Sequence, residues 1–585
     1  MKFSRPLPAL ALCALAVAAH GADHGVIFES NVPMKTRDGV TLVADIYRPA
    51  AEGQFPVILT RTPYDKYTNL GMGLAVAQRG YVGIIQDVRG RYRSGGEWYP
   101  FKHEAADGYD AVEWAAALPY ANGKVALVGG SYVGVTVMQA AVAAPPHLVA
   151  IAPSVTASNY HEHWVYNGGA FMQLLNQAWS SVLSIDAITR RAAGSANPGY
   201  WDYRRPISAY PVIDKVSNQD VAPYYADWVA HPDYDDYWKQ WAIDERYDQI
   251  TVPALHEAAW YDLFQQGSIQ NYVGIKTHGA NAAARAGQRL VIRPGGHAGN
   301  GPKIGEVDFG PGSAFDMWDY TMRWFDHYVK GEDNGIDREK PVKLFVMGRN
   351  AWRDEGEWPL ARTRYTRYHL RSGGRANSVA GDGILAVGPP GGALVDSYVS
   401  DPHRPVATHG GAILGDEGRY IQGPLDQREN EQRSDVLVYT TPVLTEDTEV
   451  TGPLAVELYV SSSAVDTDFT AKLVDVHPDG RAINLADGIK RARYRDSREY
   501  PELMQPGAIY KLTIDLGSTA NVFLAGHRIR LEIASSNFPR FDRNPQTGGR
   551  DDGAAPFATA TNVIHHDRDH PSAIILPIIP SETNP

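Results

Sequence analysis

Gly129-Gly130-Ser131-Tyr132-Val133-Gly134 lies between an apolar run, Val125 to Val128, and a helix-like stretch, Val135 to Ala144. A serine on a tight turn from a strand into a helix projects its hydroxyl away from the sheet, and small neighbours let that turn form without clashes. The N–H group of the next residue, Tyr132, then points to where negative charge develops on a substrate carbonyl oxygen. The pattern is Gly-x-Ser-x-x-Gly, a departure from the commoner Gly-x-Ser-x-Gly. We interpret Ser131 as a candidate nucleophile on a nucleophile elbow.

Strand-like and helix-like segments alternate before this turn. Val57 to Thr60 and Tyr81 to Gln86 are short β-rich runs, and Asp107 to Ala117 carries apolar residues at helical spacing. Strands that alternate with helices indicate βαβ units and a parallel sheet. Sheet-like runs return later in the chain, and the last of them is Val342 to Met347. The sequence therefore predicts an α/β domain that carries the Ser131 turn.

Two residues further along have the chemistry needed to activate Ser131. Asp262 follows the apolar run Val252 to Ala258, and His297 follows Gln288 to Ile292. The chain order serine, acid, histidine is that of α/β-hydrolase triads, in which each group stands just after a sheet strand. In this hypothesis His297 accepts the serine proton, and Asp262 orients the imidazole and stabilises its charged form.

Changes of composition divide the chain into regions. Residues 159–247 are dense in Trp and Tyr and contain helix-like stretches such as Phe171 to Ile185, which predicts an inserted helical cap. Beyond about Tyr365, short period-two runs separated by Gly, Pro and Asn predict an all-β sandwich or jelly roll. The predicted boundaries are 1–21 for a signal peptide, 22–158 and 248–362 for the α/β domain, 159–247 for the cap and 363–585 for the jelly roll.

Residues 1–21 have the pattern of a secretory signal. Lys2 and Arg5 precede an apolar run from Leu7 to Ala19, which is too short to cross a bilayer that needs about 20 apolar residues. The single cysteine, Cys13, lies inside this segment. We therefore expect a periplasmic or secreted protein whose mature chain has no membrane anchor, no thiol nucleophile and no disulfide.

The overall composition limits the classes of partner. The 585 residues are 44% hydrophobic and 21% charged, as in globular proteins of several folding units. The formal charge is −12, and the sequence has no Lys/Arg-rich run, which argues against nucleic acid or an anionic membrane surface as the main partner. Small-molecule esters and short acyl or peptide substrates are compatible with this net negative charge. The sequence does not predict the oligomeric state.

Further motifs accompany the candidate triad in a fixed order. They are Arg61-Thr62-Pro63-Tyr64-Asp65-Lys66, Asp87-Val88-Arg89-Gly90-Arg91 with Ser94-Gly95-Gly96, Glu104 with Asp107-Gly108-Tyr109-Asp110, Gly129-Gly130-Ser131-Tyr132, Trp260-Tyr261-Asp262, Gly526-His527-Arg528-Ile529-Arg530 and Ser535-Ser536-Asn537-Phe538-Pro539. With these motifs the chain resembles the cocaine esterase, α-amino-acid ester hydrolase and Xaa-Pro dipeptidyl-peptidase superfamily. The resemblance covers nearly the whole mature chain and implies an α/β-hydrolase domain, a helical cap and a C-terminal jelly roll.

The resemblance also implies a second oxyanion donor, the hydroxyl of Tyr64. A phenol and the N–H of Tyr132 can jointly bind the oxygen of a tetrahedral intermediate, and losing one such donor costs about 2.7 to 4 kcal/mol. We therefore expect an oxyanion hole made of Tyr64 and Tyr132.

The chain departs from its relatives at positions that affect specificity. Relatives that recognise an α-amino group carry acids shortly after the triad aspartate, where this chain has Leu263, Phe264 and Gln265. Gly295 and Gly296 precede His297, so the tryptophan that the family has there is missing, which predicts a more open pocket. The candidate substrate contacts are Glu162, Trp164, Trp260 and Phe264. Glu162 is either an ammonium partner or a solvated side chain.

Two histidine-rich stretches look like metal ligands. They are His161-Glu162-His163 and His565-His566-Asp567. No second cluster with ligand spacing accompanies either, and such histidines more often cap or hydrogen-bond loops. We expect no required metal and no cofactor.

The residues and the resemblance together predict an exported serine hydrolase that cleaves a carboxylic ester, or next an activated amide, through an acyl-enzyme on Ser131. One alternative is an Xaa-Pro dipeptidyl peptidase or a β-lactam acylase. Another is a carbohydrate-binding or structural protein with a vestigial site, but the full set of Ser131, Asp262, His297 and Tyr64 argues against it.

Overall fold

The computed structural model of the protein describes residues 25–194, 222–299, 301–388, 394–550 and 556–580. The predicted signal peptide with Cys13, and the cap aromatics Tyr200 and Trp201, lie outside these ranges. Within the described ranges, no helix combines the length and the apolar character that crossing a membrane requires.

The N-terminal part of the molecule is built on one large sheet. Its strands in chain order are Val26–Lys35 (β1), Thr41–Pro49 (β2), Phe55–Thr62 (β3), Val82–Asp87 (β4), Ala121–Gly130 (β5), Leu148–Ser154 (β6), Tyr166–Asn167 (β7), Ala170–Phe171 (β8), Ala254–Tyr261 (β9), Gln288–Gly296 (β10), Lys303–Ile304 (β11), Val307–Asp308 (β12), Val342–Val346 (β13) and Ala351–Glu355 (β14). Ten of them form the sheet in the order β1-β2-β4-β3-β5-β6-β9-β10-β13-β14, while β7 pairs with β8 and β11 with β12.

The middle of this sheet is parallel, and antiparallel strands close both edges. The helices are Leu70–Gln78 (α1), Glu104–Ala116 (α2), Tyr132–Val142 (α3), Gln173–Gly194 (α4), Pro223–Ala230 (α5), Asp236–Lys239 (α6), Gln265–His278 (α7), Ala282–Ala286 (α8) and Met317–Phe325 (α9). All residues of β4 are buried, as expected for a strand covered on both faces. The predicted α/β fold is confirmed.

The helices α4, α5 and α6 lie in the cap region, between β6 and β9. Its aromatic side chains pack mainly on one another: the rings of Trp228 and Trp179 stack with centroids 6.0 Å apart. The cap core also reaches the α/β domain, where the ring of Tyr160 stacks on Phe101 at 4.2 Å. Burial of these large rings explains how a region without apolar strand runs packs firmly over the sheet.

The C-terminal part is all β, as predicted. Its strands are Arg364–Arg371 (β15), Ile384–Ala386 (β16), Val395–Ser400 (β17), Leu437–Thr440 (β18), Thr448–Ser462 (β19), Asp468–Val476 (β20), Ala482–Arg491 (β21), Tyr510–Phe523 (β22), Arg528–Ala534 (β23), Ala560–His565 (β24) and Ala573–Ile579 (β25). Their pairings are antiparallel except between β16 and β18. The strands form a jelly-roll domain.

The jelly roll is fastened to the end of the α/β sheet that carries the candidate triad. Met347, just after β13, exchanges backbone hydrogen bonds of 2.9 Å with Ala520 and Val522 of β22. Nearby, the side-chain amide of Gln265 accepts from the N–H of Ser518 and donates to its carbonyl, both at 2.8 Å. The jelly roll is therefore placed to shape the site.

Candidate active site

The backbone of Ser131, between β5 and α3, has φ 59° and ψ −128°. A positive φ is strained for a residue with a side chain and persists only where neighbours hold it. Here the N–H of Ser131 donates to the carbonyl of Ser154 at 3.0 Å, and its own carbonyl accepts from Oγ1 of Thr156 at 2.9 Å. A Cβ at position 130 would lie 2.7 Å from Oγ of Ser154, so the close approach requires Gly130. These contacts hold the strained turn of a nucleophile elbow.

Tyr132 contributes through its backbone. As the first residue of α3, its N–H has no acceptor within the helix and stands at the positive end of the helix dipole. Its side chain is fully buried, where the hydroxyl accepts from the N–H of Phe101 at 2.8 Å and donates to Glu104 at 3.1 Å. The buried side chain anchors the start of the helix, and the main-chain amide is the group that Tyr132 offers to an oxyanion.

The hydroxyl of Tyr64 lies beside the serine. It accepts a hydrogen bond from Nε1 of Trp179 at 2.9 Å, and Ser131 is near enough to act on its pKa. Burial raises the pKa of Tyr64 above its ordinary value, so the phenol stays protonated and able to donate at neutral pH. Trp179 lies on α4 of the Trp- and Tyr-rich cap, and its indole N–H orients the phenol.

The motif residues around Tyr64 position its loop. Nε of Arg91 donates to the carbonyl of Pro63 at 2.9 Å, and Nη1 donates to Leu183 of the cap at 2.8 Å. Asp87 accepts from the N–H of Lys66 at 2.8 Å, and burial raises the pKa of Asp87 to about 6. The motifs at residues 61–66 and 87–91 thus form a buried scaffold for the loop of Tyr64.

Asp262 and His297 meet on the same edge of the sheet. Nδ1 of His297 lies 3.2 Å and 3.3 Å from the two carboxylate oxygens of Asp262. The Asp262 side chain is buried, and its Oδ1 also accepts from the N–H of Phe264 at 2.8 Å. Tyr64, Ser131, Asp262 and His297 follow or end β3, β5, β9 and β10, whose carboxyl ends share one edge of the parallel sheet. The structure therefore brings the predicted catalytic residues to one edge.

A residue of the jelly-roll part, which sequence reasoning missed, holds the histidine. Oε1 of Gln422 accepts from the backbone N–H of His297 at 3.0 Å. Its Nε2 donates to the carbonyls of Tyr261 at 3.2 Å and Ile413 at 2.6 Å. A Cβ at Gly296 would lie 1.9 Å from Oε1 of Gln422, so this glycine is required by the close contact. The glycine pair before His297 was the one local signal of this arrangement.

Aromatic rings form a wall from the serine to the histidine. The ring of Trp164 stacks on Phe264 at 4.5 Å, and Phe264 turns its edge to His297 at 5.4 Å. Trp164 also contacts Trp179, the partner of Tyr64, at 5.6 Å. Trp164 and Phe264, two of the predicted substrate contacts, thus lie beside the candidate catalytic groups.

The other two predicted substrate contacts lie elsewhere. The indole of Trp260 donates to the carbonyl of Phe345 at 2.7 Å and packs on Trp358 in the core shared with the jelly roll, so its role as a substrate contact stays a prediction. The indole ring of Trp260 fills the apolar interface that the α/β domain and the jelly roll bury against each other. The carboxylate of Glu162 accepts from the N–H of Gly168 at 2.8 Å, which ties it to a turn of the cap.

The two histidine-rich stretches have structural partners. The ring of His161 bonds the carbonyl of Pro232 at 2.8 Å, and burial lowers its pKa to about 4, which keeps it neutral. His566 pairs with buried Asp396 at 3.0 Å, and His565 bonds Ser461 at 3.0 Å. In the described part of the chain, neither stretch supplies three ligand atoms close enough to share a metal ion.

Comparison with known proteins places the chain in a family. Residues 38–299 match the family model of X-Pro dipeptidyl-peptidase (S15 family), and residues 334–575 match that of the X-Pro dipeptidyl-peptidase C-terminal non-catalytic domain. The chain is 40% identical to the cocaine esterase of Rhodococcus sp. (strain MB1 Bresler), over 94% of this chain and 98% of that protein.

Two solved structures share its architecture. An aminopeptidase from a marine sediment archaeon, Thaumarchaeota archaeon, is 26% identical with a TM-score of 0.81 over 99% of this chain and 100% of that one. An α-amino acid ester hydrolase is 26% identical with a TM-score of 0.78 over 98% and 100%. Together with the strained Ser131 and the Asp262–His297 pair, these matches show that the chain is a serine hydrolase belonging to the S15 family.

Proposed function

We propose that the chain is an exported esterase that hydrolyses carboxylic esters through a covalent acyl-enzyme on Ser131. The observation that carries the proposal is the pairing of Asp262 with His297 at the end of the sheet that also carries the strained Ser131 turn. The phenol of Tyr64, on the loop after β3 at the same end of the sheet, is the side-chain donor that we assign to the oxyanion of acyl transfer.

Acylation begins when Oγ of Ser131 attacks the ester carbonyl carbon and its proton passes to Nε2 of His297. Nδ1 of that ring faces Asp262, which holds the tautomer and stabilises the imidazolium. The carbonyl oxygen becomes an oxyanion between the hydroxyl of Tyr64 and the N–H of Tyr132. Collapse of the intermediate breaks the bond to the alkoxy oxygen, which leaves with the proton from His297.

Deacylation repeats the sequence with water. His297 takes a proton from the water, whose oxygen attacks the acyl carbon, and the same two donors bind the oxyanion. Ser131 then leaves with the proton that His297 returns, and the carboxylic acid is released. The cycle needs no group beyond the side chains described.

The aromatic wall supports an apolar, flat substrate. Trp164, Trp179 and Phe264 form a packed, almost fully buried aromatic cluster next to the reacting groups, which makes the surroundings of the site apolar. The cocaine esterase, which is 40% identical, is a relative with esterase activity in its name. We therefore place aryl or aromatic-acyl esters ahead of aliphatic ones, and ahead of peptides with a free amino terminus.

A fluorophosphonate probe tests the nucleophile. Labelling should map to Ser131 and vanish in Ser131→Ala, whereas Ser181→Ala should label normally because that hydroxyl only bonds its own helix, at 2.6 Å to Gln177. Labelling that persists in Ser131→Ala refutes the acyl-enzyme. A panel of aryl esters against Xaa-Pro anilides then separates esterase from dipeptidyl peptidase: a higher kcat/KM for the anilides would favour the peptidase.

Export is tested separately. Cell fractionation with N-terminal sequencing of the recovered protein should find it outside the cytoplasm and beginning after residue 21. Recovery of the intact N-terminus in the cytoplasmic fraction would refute export without affecting the proposed chemistry.

A further inference from the structure

Three potential metal ligands that do not belong to the triad meet in the jelly roll. One ligand atom from each of Asp475, His477 and His527 lies within 4.8 Å of the others. Among the residues that the structure describes, this is the one group of three or more potential metal ligands that lie so close together. Nδ1 of His527 already contacts Oδ1 of Asp475 at 2.8 Å, and the two imidazole rings lie 4.5 Å apart. Bonds of about 2.1 Å in a tetrahedral zinc site put ligand atoms about 3.4 Å apart, so small side-chain rotations satisfy that geometry.

The strand register causes the three side chains to converge. Asp475 and His477 are two residues apart at the end of β20, where alternate residues share a face. The neighbouring strand β23 runs antiparallel, with Val476 opposite Arg528, which places His527 opposite His477. A turn closes directly after them, with the N–H of Gly480 bonding the carbonyl of His477 at 2.9 Å. His477 directly follows β20 and His527 directly precedes β23, so the pairing of the two strands brings the turn residues next to each other.

The surroundings suit a cation with bound water. The three side chains line a cavity of about 260 Å³ between the jelly roll and the α/β domain. Glu306 and Asp308 line the same cavity and add negative charge. The one arginine among its lining residues, Arg481, is paired with Asp479 at 2.8 Å. Asp475 and His527 are more than nine-tenths buried, so their donor atoms are held in place by packing.

We propose that Asp475, His477 and His527 bind a divalent transition-metal ion, with zinc(II) the best match, and that water completes the coordination from the cavity. Two imidazoles and a carboxylate are ligands that zinc takes at tetrahedral sites. The ion replaces the proton shared between His527 and Asp475 and clamps the β20–β21 turn to β23. The site is separate from the triad, and ester hydrolysis does not pass through it.

Zinc binding to metal-stripped protein without a polyhistidine tag tests the site. Isothermal titration with zinc chloride should show one ion per chain with micromolar or tighter affinity, accompanied by a higher Tm. His477→Gln and His527→Gln should weaken binding by at least about a hundredfold, since each removes a direct ligand. Cobalt(II) should give the visible absorption of a tetrahedral site in the wild type and not in either variant.

His570→Gln is the matched control, because His570 also faces a carboxylate, Asp567, at 3.1 Å, but has no third ligand in the described ranges. It should bind zinc like the wild type. Retained ester hydrolysis shows that the variants fold. If glutamine at the buried position of His527 prevents folding, the half-buried His477→Gln variant alone tests the site. Wild-type binding weaker than millimolar, or equal binding in His477→Gln, would overturn the proposal.

Discussion

The backbone N–H of His297 donates to Oε1 of Gln422 at 3.0 Å, across 125 positions of sequence. The side chain that holds the histidine loop therefore comes from the connection between β17 and β18 of the jelly roll. We predict that Gln422→Ala lowers kcat by about ten- to a hundredfold, because small displacements of a catalytic group cost that much, with a smaller change in KM.

Steady-state kinetics and a thermal melt check this expectation. Gln505→Ala, at an exposed glutamine of the jelly roll, serves as control and should retain wild-type kcat. An unchanged kcat in folded Gln422→Ala would show that the histidine loop keeps its position without this contact.

The triad residues should act as a unit. Ser131→Ala, His297→Ala and Asp262→Asn should each reduce turnover by several orders of magnitude, and double variants should be little worse than the worst single one. The measurement is kcat on an aryl ester with purified, folded protein. More than about a tenth of wild-type activity in Ser131→Ala would contradict the assignment.

Removal of the phenol should weaken transition-state binding. Tyr64→Phe keeps the ring packed but loses the donor, so we expect kcat to fall by about 10² to 10³ with little change in KM. Trp179→Phe keeps the donor but removes the hydrogen bond that orients it, together with part of a packed ring, and should lower kcat by a smaller factor. If Tyr64→Phe retains full kcat, the oxyanion hole is built from other groups.

The raised pKa of Tyr64 predicts the alkaline side of the pH profile. The phenol must be protonated to donate, so its contribution is present below its pKa and lost above it. Because burial places that pKa above the ordinary value of about 10, kcat/KM should stay level from about pH 8 to about pH 10. Initial rates over the range in which the protein stays folded test this; a decline centred below pH 10 that disappears in Tyr64→Phe would be inconsistent with it.

A free α-amino group should confer little advantage. Phe264 and Gln265 replace acids, Glu162 bonds Gly168, and Asp487 pairs with Arg540. An exposed or single carboxylate stabilises a bound ammonium group by about 0 to 1 kcal/mol. A tenfold preference in kcat/KM requires about 1.4 kcal/mol.

The kcat/KM of a phenylglycine ester should therefore be less than about tenfold above that of its phenylacetate counterpart at a pH that keeps the amine protonated. A preference of a hundredfold or more would move the enzyme toward the aminopeptidase or amino-acid ester hydrolase function of its structural neighbours.

The candidate triad could be predicted from the sequence because each member is determined locally. Ser131 sits in a strand–turn–helix pattern whose glycines and apolar runs lie within a few residues, and Asp262 and His297 each follow a recognisable strand. The α/β and all-β domains are likewise predicted by short-range patterns of hydrophobic spacing. The chain order then predicts that the three triad residues meet, because parallel strands bring their carboxyl ends to one edge of the sheet.

Contacts between distant segments were decided by the tertiary structure alone. Nothing near Gln422 indicates that it holds His297, and nothing near Trp179 indicates that it orients Tyr64, because each pair joins different layers of the fold. The surroundings of Trp260 are another case: its motif marks the end of β9, whereas the docked jelly roll decides which core its ring fills. Strand pairing and domain docking join residues that are far apart in the chain. The sequence determines these contacts, but no local pattern in it reveals which residues will meet.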